Sequence, residues 1–198
     1  MFFKKPEFTL KDNLISDKLD KSTISAFNKL KQSSISLKKD EITLFYPGCG
    51  NDIIRPLFLL YSLSDFKKAN IILSDNLLSP SIIADTVSDL TGIKKFKQSA
   101  DSHIFRFKDK EIRIIYKEGD SLSDKDLLNF DIFFERAFQL FRKDSIEFIP
   151  KIINKLNKGG LFISDFVDFK NKDLKELKFP KEISKIGFYK NFGILRKS

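Results

Sequence analysis

Apolar positions along the chain fall into two registers. Runs rich in β-branched and aromatic residues recur at 42–46, 69–75, 111–116, 130–136 and 161–165, each suited to a strand covered on both faces. Between them, stretches at 53–66, 80–91 and 143–156 carry apolar residues at helical spacing and predict helices packed on such a sheet. Strands that alternate with helices predict an α/β domain, doubly wound around a mainly parallel sheet, with helices on both faces. The segment 104–116 reads as a hairpin about Lys108-Asp109-Lys110, its second arm being the third core strand.

The two ends of the chain depart from that alternation. Residues 1–40 are polar and Lys/Ser-rich, with Leu10, Leu14, Ile15 and Leu19, then Ile24, Phe27 and Leu30, at helical spacing. Two amphipathic helices are expected there, ahead of a domain spanning 41–198. Toward the other end, 170–178 reads as a short charged helix, and 182–189 and 192–196 as two strands joined at Lys190-Asn191. Seven strands are expected in all, the last antiparallel.

Chemistry is concentrated after the first strand. Pro47 ends its hydrogen bonding, Gly48 and Gly50 let the backbone turn sharply, and Asn51 or Asp52 caps the next helix, with Pro56 in its first turn. A strand, a glycine turn and a helix start form a nucleotide-type cradle. A dinucleotide fingerprint needs a third glycine where this chain has the bulky Ile53. Asp52 also places a carboxylate where a pyrophosphate needs bare N–H groups. A phosphate-free ligand carrying positive charge meets no such conflict, and S-adenosylmethionine is one. Asp75 ends the second strand twenty-five positions after Gly50, close to the spacing at which an acid reaches a ribose diol. Asn76 beside it could assist at an adenine edge.

On Phe45-Tyr-Pro-Gly-Cys-Gly-Asn-Asp52 the chain resembles the class I S-adenosylmethionine-dependent methyltransferases, whose first motif ends a strand in Gly-x-Gly-x-Gly or a looser variant. It departs from that pattern at Asp52, the third glycine position, and at Tyr46, where an acid is usual. The resemblance implies a Rossmann-like sheet with an antiparallel strand near its end, and S-adenosylmethionine bound by Tyr46, Gly48, Cys49, Gly50, Asp52, Asp75 and Asn76. It also implies that Asp120, with Ser121, meets the adenine amino group, and that residues 1–40 fold over the cofactor mouth as a lid. A packing extension without ligand contact is the other reading of that leader. Glu135 and Arg136, at the end of the fourth strand, face the crevice and are the candidates for touching the methyl acceptor. Glu135 serves there as a general base or forms a structural ion pair with Arg136.

Composition narrows the classes. The 198 residues carry a net charge of +9, with 22 Phe, no Trp, one cysteine (Cys49) and one histidine (His103). An internal disulfide and cysteine- or histidine-based metal or triad chemistry are thereby disfavoured, and Cys49 is read as small-residue packing in the turn. His103 is read as a surface or hairpin residue. The lysines are spread along the chain with few arginines, which disfavours a nucleic-acid partner. No run reaches the ~18 apolar residues of a membrane span, so the cytoplasm is the default. A small-molecule acceptor is favoured over RNA or protein. The remaining readings are a methyltransferase-like binding or scaffold module without catalysis and, more weakly, a nicotinamide-dependent oxidoreductase.

Overall fold

Ile42, Leu44 and Tyr46 turn to one side of the first strand and Phe45 to the other, and all four are buried. A strand apolar on both sides belongs in the middle of a sheet, and β1 (Glu41–Pro47) lies there. The computed structural model describes residues 19–93, 97–99, 101–107, 109–118, 127–136, 145–189 and 191–198. Among them the other strands are β2 (Lys68–Asp75), β3 (Lys97–Ser99), β4 (Ser102–Arg106), β5 (Glu111–Glu118), β6 (Phe130–Phe134), β7 (Leu156–Ser164), β8 (Leu174–Glu176) and β9 (Gly193–Lys197). The helices are α1 (Lys21–Gln32), α2 (Ile54–Leu63), α3 (Pro80–Thr91) and α4 (Ser145–Lys155), with a 3₁₀ helix at Lys181–Ile186.

One sheet runs β3-β4-β5-β2-β1-β6-β7-β9-β8. Its centre, β5-β2-β1-β6-β7, is wholly parallel. The chain winds outward from β1 through β2 to β5 on one side, then restarts at β6 on the other. The order therefore reverses between β1 and β6, and the crevice beyond their C-terminal ends is the place where open α/β sheets hold ligands. β9 pairs antiparallel with both β7 and β8, which gives the expected doubly wound sheet with its antiparallel strand near the end of the chain.

Phe45, Phe130, Phe133, Phe148 and Phe162 make the core on one face of the sheet. Leu44, Ile71, Ile114, Ile132 and Ile163 line the other, beneath α2 and α3. Burying one such side chain stabilises by about 1.5–3 kcal/mol, so the phenylalanine layer is a principal source of stability. α1 is capped by Asp20, which accepts from Thr23 N at 2.8 Å. It packs Phe27 on Phe58 of α2 with ring centroids 5.3 Å apart, and Thr23 Oγ1 lies 3.4 Å from the Lys185 carbonyl. The first expected leader helix lies outside the described residues.

Three expectations are corrected. The sheet has nine strands among the described residues rather than seven; β3, all three residues exposed, carries no apolar pattern to announce it. The 170–178 segment holds strand β8 instead of a helix, because pairing with β9 supplies its hydrogen bonds; just beyond, Leu177 N donates to the Ile194 carbonyl at 2.9 Å. The 182–189 segment is mostly 3₁₀ helix rather than strand. Ile183 and Ile186 are three apart and both fully buried, the repeat of a 3₁₀ turn and not the period of two that a strand needs. Accordingly β9 pairs with β7 and β8 and not with 182–189.

Candidate functional site

The turn after β1 is fastened to the end of β2. Gly48 and Gly50 have φ of 59° and 52°, the left-handed region that glycine enters without strain. Gly48 N donates to the Ser74 carbonyl at 2.8 Å, and Gly50 N donates to Asp75 Oδ2 at 2.8 Å. The other oxygen, Oδ1, accepts from Leu77 N at 2.8 Å. A carboxylate has about four lone-pair sites, so each oxygen keeps room for one further donor. A Cβ placed on Gly50 would meet nothing within 4 Å. The outer side of the turn is thus open, beside a half-buried carboxylate.

Asp52 is the hub of the second group. It accepts from Arg55 N at 3.3 Å, holding the first turn of α2, and from Tyr46 Oη at 3.3 Å. Arg55 Nη1 lies at 3.1 Å and Arg136 Nη1 at 3.8 Å. Neither expected residue is the N-cap: that position is Ile53, which makes no side-chain cap bond, and Asp52 reaches Arg55 N from one residue earlier, while the Asn51 side chain turns to the next loop and accepts from Ser79 N at 2.7 Å. Burial first, and the Asp52 charge second, hold the Tyr46 phenol well above its ordinary pKa. Burial likewise pushes the Cys49 thiol far up, with Asp75 and Asp52 adding to it. Cys49 is a protonated packing group.

At the end of β6, Glu135 is fully buried and accepts from Ser164 Oγ at the end of β7. Arg136 lies beside the crevice with its guanidinium over the Phe188 ring, 5.7 Å from the centroid. Neither Phe188 nor Asp165 figured among the sequence candidates. Asp165 is fully buried, and its oxygens accept from Phe188 N at 2.8 and 2.9 Å and from Tyr189 N at 3.1 Å. The approach needs a residue without a side chain at 187, since a Cβ on Gly187 would overlap Asp165 Oδ1. The Ser164-Asp165 pair closing an apolar strand was visible in the sequence, whereas its partners twenty-three and twenty-four residues on were not.

The structure thus brings Tyr46, Gly48, Cys49, Gly50, Asp52, Asp75 and Arg136 to one end of the sheet, with Glu135 buried behind them. Asn76 is exposed next to Asp75. Asp120 and Ser121 lie outside the described residues. His103 belongs to the hairpin as expected but is buried rather than on the surface, its Nδ1 2.7 Å from Tyr116 Oη. No group of three metal-ligating side chains occurs among the described residues. Nor is any described helix long and apolar enough to cross a membrane. A hollow of about 470 Å³ lined by Lys31, Leu37, Tyr61 and Lys110 lies among residues that precede β1, β2 and β5, at the opposite end from the crevice.

No protein-family model matches the chain, and no curated protein matches it. Among solved structures, MNMC2 from Aquifex aeolicus is 11% identical over 93% of this chain and 60% of its own, with a TM-score of 0.49. Coclaurine N-methyltransferase bound to N-methylheliamine and SAH is 15% identical over 80% of this chain and 39% of its own, at 0.46. A putative S-adenosyl-L-methionine-dependent methyltransferase from Methanococcus maripaludis is 16% identical over 76% of this chain and 58% of its own, at 0.41. The chain therefore spans between 39% and 60% of the lengths of these three.

Proposed function

We propose that this chain is an S-adenosylmethionine-dependent methyltransferase of the class I type, acting on a small molecule. The observation that carries the reading is the 2.8 Å bond from Gly50 N to Asp75 Oδ2, which joins a glycine turn to a strand-end acid beside the switch point of the sheet. In this reading the open side of Gly48-Cys49-Gly50 lies against the cofactor and the spare lone pairs of Asp75 accept from the ribose hydroxyls. Asn76, with Asp120 and Ser121, serves the adenine edge. The residues present fit that group: Gly50 leaves bare space, and Asp52 already engages the Arg55 N–H in the first turn of α2, an N–H that a pyrophosphate would need bare. Bound there, the cofactor supplies an activated methyl group, and the protein's work is alignment.

Arg136 is the group we place against the acceptor. It stands at the end of β6, largely shielded from water, between Asp52 and an aromatic ring. Glu135 is better suited to positioning than to proton abstraction, because it is enclosed and engaged by Ser164. A binding module without catalysis is the second reading, favoured by one observation: both Asp75 oxygens already serve backbone N–H groups.

Calorimetry tests the cofactor assignment on which the first reading depends. S-adenosylhomocysteine should bind and NAD⁺ should not, and at one hundred times Kd the ligand should stabilise the fold by about 2.7 kcal/mol. Binding of NAD⁺ in preference, or of neither ligand, would overturn the proposal.

A further inference from the structure

A line of contacts leads from the glycine turn to an aromatic surface. Asp52, two residues after Gly50, lies 3.8 Å from Arg136 Nη1, and the Arg136 guanidinium covers the Phe188 ring. The Phe188 ring meets Tyr189 edge-on at 5.0 Å between centroids, and Tyr189 lies 5.6 Å from Phe166. Despite this packing, Phe188 is 67% exposed and Tyr189 39% exposed. Exposed aromatic side chains on a loose loop would be unremarkable, but this backbone is fixed: buried Asp165 accepts from both Phe188 N and Tyr189 N. A fully buried carboxylate is costly unless its hydrogen bonds are made, so the loop is held where it is.

We infer that Phe188, with Tyr189 edge-on beside it, is the stacking platform for the methyl acceptor, and that the acceptor carries a flat aromatic ring such as a phenol or catechol. The inference rests on the function proposed above for its placement at the acceptor side of the crevice. The choice of ring chemistry comes from Arg136. A cation over one face of an aromatic ring draws on that ring's negative quadrupole. A flat aromatic ring extends that stack through its own quadrupole, in offset or edge-to-face geometry. Saturated rings of the same size gain only contact area there. Asp165 is then a positioning residue, because it acts through the loop it holds.

The test uses the full chain, labelled at Phe and Tyr and titrated by NMR with catechol and with trans-cyclohexane-1,2-diol, with S-adenosylhomocysteine calorimetry on the same samples. Catechol should shift the Phe188 and Tyr189 ring signals and bind more tightly than the saturated diol. Phe188→Leu should weaken catechol about three- to tenfold, the size of one aromatic pair, and leave S-adenosylhomocysteine unchanged. Asp165→Asn should weaken catechol as well, through loss of order in the loop, and a Phe188→Tyr variant should restore most of the binding. Equal binding of the two diols, or catechol binding that ignores Phe188→Leu, would overturn the inference while leaving the cofactor reading intact. So would sedimentation showing self-association that Phe188→Leu abolishes, since the patch would then be an interface between copies. Phe188-dependent catechol binding without any binding of S-adenosylhomocysteine would sustain the platform and remove the methyltransferase reading.

Discussion

Gly50 and Asp75, twenty-five residues apart, meet through a 2.8 Å hydrogen bond from the glycine N–H to the carboxylate. The acid that the proposal assigns to the ribose is therefore also a clamp between the β1 and β2 ends. Asp75→Ala should show both roles: loss of S-adenosylhomocysteine binding in calorimetry and a stability loss of about 0.5–1.5 kcal/mol from the lost clamp, since the exposed Leu77 N–H is rehydrated. Asp75→Asn retains one acceptor and should recover part of the stability without the affinity. Affinity that survives Asp75→Ala would remove this residue from the cofactor site.

The second prediction separates strain from obstruction at the turn. Gly50 has a φ of 52°, so any L-residue there costs about 1–2 kcal/mol, yet its Cβ meets no protein atom within 4 Å. Gly50→Ala should fold with a modest fall in Tm, and Gly50→Val should add loss of S-adenosylhomocysteine by bulk on the open side. Full binding by folded Gly50→Val would contradict the assignment of that side to the ligand.

Cys49 tests the electrostatics of the same turn. Cys49 is 6% exposed, and burial pushes its thiol pKa far above the ordinary range of a cysteine. Iodoacetamide at pH 8 should leave the folded chain unmodified and alkylate it rapidly in denaturant, since the thiolate is the reactive form. Prompt single-site alkylation under native conditions would show an accessible thiolate and refute this description.

The part of the candidate site whose geometry was legible in the sequence lies within one βαβ unit. Ile42–Tyr46 is a contiguous apolar run, Gly48 and Gly50 punctuate it, and Asp75 ends the next such run; each signal is local, and the spacing between them is short. Asp165 and Phe188 were not legible as partners. Their contact depends on a 3₁₀ helix at Lys181–Ile186 that returns the chain to the end of β7, and no local period encodes that return. The same holds for β8: Leu174 and Leu177 are three apart and mimic a helix, but the hydrogen-bond partners offered by β9 decide the outcome. Tertiary pairing overrides propensity most easily in short segments, where few residues vote for either state.

Asp131 gives a prediction about the far end of the sheet, where magnitudes separate two partners of one ion pair. Its buried carboxylate accepts from Thr43 N at 3.0 Å, Asn157 Nδ2 at 2.8 Å and Lys39 Nζ at 2.5 Å, tying β6 to β1 and to β7. Lys39 is 41% exposed and is hydrated when released. Lys39→Ala should cost about 0.2–1 kcal/mol, whereas Asp131→Ala strands the Thr43 N–H and should cost about 1–3 kcal/mol. Urea unfolding of both variants measures the ratio, and equal losses would show that the ion pair, not the backbone bond, matters.

The cap of α1 gives a pH-dependent prediction with a definite sign. Asp20 accepts from Ser22 Oγ at 2.5 Å, Thr23 N at 2.8 Å and Thr23 Oγ1 at 2.9 Å, and these bonds, Ser22 first, hold its carboxyl well below the usual range. A carboxyl whose pKa is depressed by folding stabilises fully above its unfolded pKa of about 3.9 and loses that contribution as pH falls toward the folded value. Removing the cap by Asp20→Ala should cost about 1 kcal/mol at pH 6, a typical value for an N-cap. At pH 3.5 the unfolded chain already binds most of the proton while the folded cap stays ionised, so the gap between wild type and variant should narrow. Thermal melts of the two proteins at both pH values measure it, and a gap that stays constant or widens at pH 3.5 would mean that the Asp20 carboxylate is not what caps α1.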